Sequence, residues 1–141
     1  MRLNSVYLNF QGNAEEVFIF YKSVLGGEFD SLVRFKDMPM GDAPLSAADG
    51  EKIMNIALPI GKNGAIMASD ALESLGQKVV QGNNFYINLN PATKAEADKI
   101  FKALSQGGVI EMAMFDAPWG DYFGSFKDKF GIGWMLNTPS K

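Results

Sequence analysis

The stretch Ser5-Val-Tyr-Leu-Asn-Phe10 returns later in the chain as Asn84-Phe-Tyr-Ile-Asn-Leu89. Both read polar, apolar, Tyr, apolar, Asn, apolar. A β-strand with one buried face needs only such alternation, because successive Cβ atoms point to opposite sides of a sheet. It does not need the same ring and the same amide twice. The residues after each stretch repeat as well. After the first comes Asn13-Ala-Glu-Glu16, which reads as a reciprocal capping box, then Val17, Phe20, Tyr21, Val24 and Leu25 at helical spacing, then Gly26-Gly27 as a stop. After the second comes Thr93-Lys-Ala-Glu96, then Ala97, Ile100, Phe101 and Leu104, then Gly107-Gly108.

Three strand-like segments succeed each helix. In the first half they are Glu28 to Lys36, Lys52 to Ile60 and Ala65 to Ser69, with a Pro/Gly/Asp/Ala-rich loop from Met38 to Gly50. In the second they are Val109 to Met114, Asp121 to Lys127 and Gly133 to Asn137. The order predicts an α+β fold of two βαβββ modules, about 1–72 and 82–141, joined near Leu72 to Gly82. Neither module buries both faces of a short sheet alone, so the two are expected to pack as one domain, 1–141, with helices on the outer faces.

Composition narrows the chemistry. The chain has 141 residues, a net charge of −3, no Cys and no His. Those absences remove disulfides, thiolate nucleophiles, Ser-His relays, zinc sites of thiolate or imidazole, and the side chain that titrates near neutrality. Clustered Lys and Arg of the kind that bind nucleic acid are missing. The longest apolar runs, such as Val17 to Tyr21, fall far short of the roughly 20 residues that span a bilayer, and Met1 to Phe10 lacks a signal-peptide core. A cytoplasmic protein with no nucleic-acid or membrane partner is expected.

The duplicated plan, with YLNFQGNAEE and FYKSVLGGEF at the front and WGDYFGSFKDKFGIGWMLN at the back, resembles the PhnB-like branch of the vicinal oxygen chelate superfamily, which holds glyoxalase I, bleomycin-resistance proteins and extradiol dioxygenases. The resemblance covers essentially the whole chain, and DKFGIGWMLN, Asp128 to Asn137, is its most specific phrase. It implies mixed, curled sheets that enclose a cavity between the modules. It also implies where a metal would sit. In metal-dependent members the ligands are typically His, Gln or Glu on the first and last strand of each module. Matching strand to strand places them here at Ser5, Met67, Asn84 and Met135, and a His that some PhnB-like proteins carry corresponds to Asn55. Two thioethers and two neutral oxygens lack the anionic charge that a hard divalent ion requires, so no metal and no cofactor is expected.

If Val6, Leu8 and Phe10 face the helices, Ser5, Tyr7 and Asn9 face the cavity, and Asn84, Tyr86 and Asn88 match them. Asn55, Ala57, Met67 and Ser69 join the same lining, with Met135 and Asn137 on the last strand. A surface of amides, hydroxyls and thioethers suits an uncharged or aromatic small molecule; alternatively these groups bond one another in a filled core. Alternation in IEMAMF puts Met112 and Met114 on one face. Trp119 and Tyr122, in APWGDYFG between glycines, read either as a lid over the ligand or as anchors to the domain or to a dimer partner. Asp116 and Asp121 are the nearest carboxylate bases. Glu28, Asp37, Asp70 and Glu111 carry no signal above surface or turn chemistry.

Proteins of this kind are sometimes labelled demethylubiquinone methyltransferases. The βαβββ order does not supply the alternating parallel strands and Gly-rich turn of a Rossmann-type methyltransferase. The expectation is a metal-independent small-molecule-binding protein, a homodimer, with its ligand in the cavity. The alternatives are a glyoxalase- or dioxygenase-like enzyme with an atypical or absent metal, and a non-catalytic assembly partner.

Overall fold

The computed structural model describes residues 1–38, 41 and 44–141. They form two compact units, residues 1–80 and 81–141. The first runs β1 (Val6–Phe10), α1 (Ala14–Leu25), β2 (Ser31–Arg34), α2 (Ala47–Glu51), β3 (Ile53–Ile60) and β4 (Gly64–Asp70). The second runs β5 (Ile87–Leu89), α3 (Lys94–Leu104), β6 (Val109–Asp116), β7 (Asp121–Lys127) and β8 (Gly133–Pro139). The α+β class and the duplicated βαβββ order are as the sequence predicts, save that the short α2 interrupts the first copy.

Each unit is built on one four-stranded mixed sheet, ordered β1-β4-β3-β2 in the first and β5-β8-β7-β6 in the second. The strand before each helix runs parallel to the last strand, and the remaining pairs are antiparallel. The helix lies on one face of its sheet. In the first unit Leu8, Phe10, Ile56, Leu58 and Ile66 are buried with Val17, Phe18 and Tyr21 of α1. In the second, Ile87, Phe126, Trp134 and Leu136 are buried with Ala97, Phe101 and Leu104 of α3. The other face of each sheet, the open face, carries the polar members of the alternation. No helix among the described residues is long and apolar enough to cross a membrane.

Several local expectations change. The Asn13 side chain makes no capping hydrogen bond. Asp70 at the end of β4 does that work instead: its Oδ1 accepts from the amides of Gly12 at 3.1 Å and Ala14 at 2.9 Å, and its Oδ2 from the amide of Ile53 at 2.8 Å. A buried carboxylate at a helix start satisfies orphan amides and opposes the positive end of the helix dipole, so Asp70 is a structural residue and not the surface group its sequence context suggests. Thr93 does cap α3, its Oγ1 accepting from the Glu96 amide at 3.1 Å. The expected strand Asn84 to Leu89 shortens to β5. The expected loop from Met38 to Gly50 ends in α2, capped by Ser46; its positions 39, 40, 42 and 43 lie outside the described residues.

Candidate functional site

On the open face of the first sheet the register places Tyr7 beside Met67, and Met67 beside Ala57, which pairs with Ser31. One pair further along the sheet, Asn9 stands beside Ser69. The polar groups bond one another across strands. The Tyr7 hydroxyl donates to Asn55 Oδ1 at 2.9 Å, Asn55 Nδ2 donates to Ser31 Oγ at 3.0 Å, and Ser69 Oγ donates to Asn9 Oδ1 at 3.2 Å. Tyr7 is nevertheless 49% exposed, so this network is a wet surface and not a sealed core. Sequence alternation does not single out Ser31, because it stands at the start of a short strand with no matching partner in the other module.

The open face of the second sheet repeats the plan with different partners. Asn88 pairs with Met135, Met135 with Ser125, and Ser125 with Met112. Asn137 pairs with Phe123, and Phe123 with Phe115. Tyr86, just before β5, reaches across to β6, where its hydroxyl donates to Glu111 Oε1 at 2.8 Å. Accepting that hydrogen bond, Glu111 holds the Tyr86 phenol above its ordinary range. Glu111 thus has a partner that alternation alone does not suggest.

The rings beside Asn137 form a cluster. The Trp119 centroid lies 5.8 Å from that of Phe123 and 6.4 Å from that of Phe115, and Phe115 and Phe123 are 6.4 Å apart, all edge to face. Such pairs contribute beyond their area. Trp119 sits in the β6–β7 turn, 62% exposed, and packs on its own hairpin. Next to these rings the side-chain oxygen of Asn137 is buried and has no hydrogen-bond partner among the described residues. A buried acceptor left unpaired costs about 1–3 kcal/mol.

Three sequence expectations need correction. Tyr122 is not part of the open face: its hydroxyl donates to Asp98 Oδ1 of α3 at 2.6 Å, which pushes the phenol up to about 12. Met112 and Met114 do not share a face, because register shifts in β6 separate them. Met112 pairs with Ser125 on the open side, whereas Met114 and Phe101 of α3 crowd the space above Gly124, where a Cβ would come within 2.6 Å of the Met114 sulfur. Asp116 is no free base, since Lys94 Nζ donates to it at 2.7 Å and lowers its carboxyl below the usual range. Ser5 and Asn84 lie just outside the strands.

Sheets of this order, one per βαβββ module, define a protein of the vicinal oxygen chelate fold. The family model described as 3-demethylubiquinone-9 3-methyltransferase matches residues 3–137, and the chain belongs to that family, the PhnB-like branch of the superfamily. It is 32% identical over 140 residues to Protein YjdN of Escherichia coli K12, covering 95% of this chain and 93% of that one. The crystal structure of protein PA1353 from Pseudomonas aeruginosa is 35% identical, with a TM-score of 0.81 and coverage of 99% and 98%. A glyoxalase/bleomycin resistance protein/dioxygenase family enzyme from Burkholderia phytofirmans, 18% identical with a TM-score of 0.64 and 99% coverage of both chains, shares the fold. The two mixed sheets are not the parallel sheet of a Rossmann methyltransferase.

The superfamily's metal can be tested against the residues at its positions. Met67 and Met135 stand on the open faces, each paired with the neighbouring first strand, and offer thioethers. Asn55 already uses both ends of its amide. Among the described residues no three His, Cys, Asp or Glu side chains group to hold an ion. This donor set does not fit a hard divalent metal.

Proposed function

We propose that the protein binds an uncharged aromatic small molecule without the help of a divalent metal, and that the ligand lies on the open face of the second sheet. The observation that carries this reading is the buried, unpartnered oxygen of Asn137 beside the rings of Phe115, Trp119 and Phe123. A ligand N–H or O–H that reaches that buried oxygen by displacing a ring packed beside it removes the cost of leaving it unpaired, while the aromatic edges and the thioether of Met135 accept the ligand's flat body. Glu111, an open-face carboxylate of this sheet, is engaged by Tyr86, and the aromatic cluster itself offers rings and an amide oxygen to a neutral ligand. Fold alone does not decide between binding and catalysis; the donor set and this acceptor favour binding.

The experiment is a thermal-shift series with 2-naphthol and its O-methyl ether, on protein dialysed against EDTA. The reading predicts that 2-naphthol raises the midpoint and that the ether, which cannot donate, raises it less. A stoichiometric divalent ion that survives dialysis, and without which neither compound acts, would overturn the metal-independent part. Equal shifts for the two compounds would overturn the role of Asn137.

A further inference from the structure

The helix side of the second unit carries a different chemistry. After α3 ends at Leu104 the chain reverses and enters β6 at Val109. The reversal is tight: the Gly108 amide donates to the Ser105 carbonyl at 2.9 Å, and a Cβ at Gly108 would collide with the carbonyl oxygen of Lys127. Beside this corner lies an open groove of about 710 Å³, within the range of small-molecule sites. Phe101 and Ile110 line it, and Ile110, on the edge strand, is 54% exposed. Lys99 and Lys102 of α3 line it as well, with Ser105 and Gln106 where the helix ends.

Both lysines lack an ion-pair partner among the described residues. Of the acids on α3, Asp98, one turn before Lys102, accepts from the Tyr122 hydroxyl, and Glu96, one turn before Lys99, forms no ion pair with it among the described residues. Lys102 in the last turn suits the negative end of the helix dipole, but that accounts neither for the groove nor for an isoleucine left half in water.

We propose that this groove binds a small amphiphilic carboxylate, its apolar tail against Phe101 and Ile110 and its anionic head between Lys99 and Lys102, within reach of the Ser105 hydroxyl. Charge complementarity selects an anion: two unpaired ammonium groups flank an apolar wall in a chain whose net charge is −3. The site is separate from the open face and takes a different charge class of ligand from the neutral aromatic proposed there.

Titration of the ¹⁵N-labelled full chain with octanoate, and in parallel with 1-octanol, tests this. Saturable amide shifts are expected at Ser105, Gln106 and Ile110, with octanoate binding several-fold more tightly than the alcohol. The double variant Lys99→Ala/Lys102→Ala removes only exposed side chains; with an unchanged melting midpoint it should weaken octanoate about fivefold, the scale of two exposed charge pairs, and leave 1-octanol unaffected. Equal affinity for acid and alcohol, an octanoate affinity indifferent to the double variant, or shifts confined to the Phe123 and Asn137 region would overturn the proposal.

Discussion

The hydroxyl of Tyr86 donates to the Glu111 carboxylate at 2.8 Å, and the Tyr86 ring lies where a side chain at Gly133 would stand, 2.8 Å from an added Cβ. The bare backbone of β8 is therefore what lets the ring pass across the sheet. Gly133→Ala is expected to push the ring aside, destabilising the protein by about 1–3 kcal/mol as overpacking does, and to return the Tyr86 phenol toward its ordinary value. Spectrophotometric titration of the tyrosines, with Glu111→Gln as a second way to release the phenol, checks this.

Asp70 holds three backbone amides from the start of α1 and from β3. Asp70→Ala leaves them buried and unpaired and should cost about 3 kcal/mol or more in urea unfolding. Asp70→Asn keeps an acceptor oxygen and should fall between that variant and the parent.

Tyr122 supplies a pH signature. Its phenol is pushed up to about 12 in the folded chain, chiefly because it donates to the Asp98 carboxylate, whereas an unfolded tyrosine ionises near 10. A raised folded value means the neutral form is favoured by folding. The contribution is whole below about pH 10 and fades as pH rises toward 12. Tyr122→Phe should flatten that part of the stability curve, measured by urea midpoints at pH 9 to 12.

Glu15 behaves in the opposite sense. Arg34 donates to both of its oxygens, at 3.0 and 2.7 Å, and holds its carboxyl below the usual range. Its contribution is present above the ordinary carboxylate value and is lost as pH falls through the lowered one. Glu15→Gln should therefore show a smaller loss of stability on acidification than the parent chain. The pair is partly exposed, so the effect at neutral pH should stay within about 1 kcal/mol.

The repeated strand, helix and glycine order is enough to read the fold, because period-2 and period-3.6 patterns and capping residues are local signals. The open faces are legible for the same reason: once Leu8 and Phe10 face the helix, Tyr7 and Asn9 cannot. The illegible part is long-range. Asp70 and Ser31 acquire their roles from partners brought alongside by sheet pairing. Met112 and Met114 part company through bulges that leave no mark on alternation. Tyr122 is a neighbour of Trp119 in sequence, yet its pairing with Thr138 turns it toward α3 and away from the ligand face. Asn137 is visible as a lining residue, but its want of a donor is a property of packing.

The most direct measurement is calorimetric titration of EDTA-dialysed protein with 2-naphthol, comparing the parent chain with Asn137→Leu. The predicted result is saturable binding to the parent, weakened about three- to tenfold in the variant, the scale of one neutral hydrogen bond, with quenching of Trp119 fluorescence at the same midpoint. Binding of equal strength to both proteins, or binding that appears only when a divalent ion is restored, would contradict a metal-free aromatic site built around Asn137.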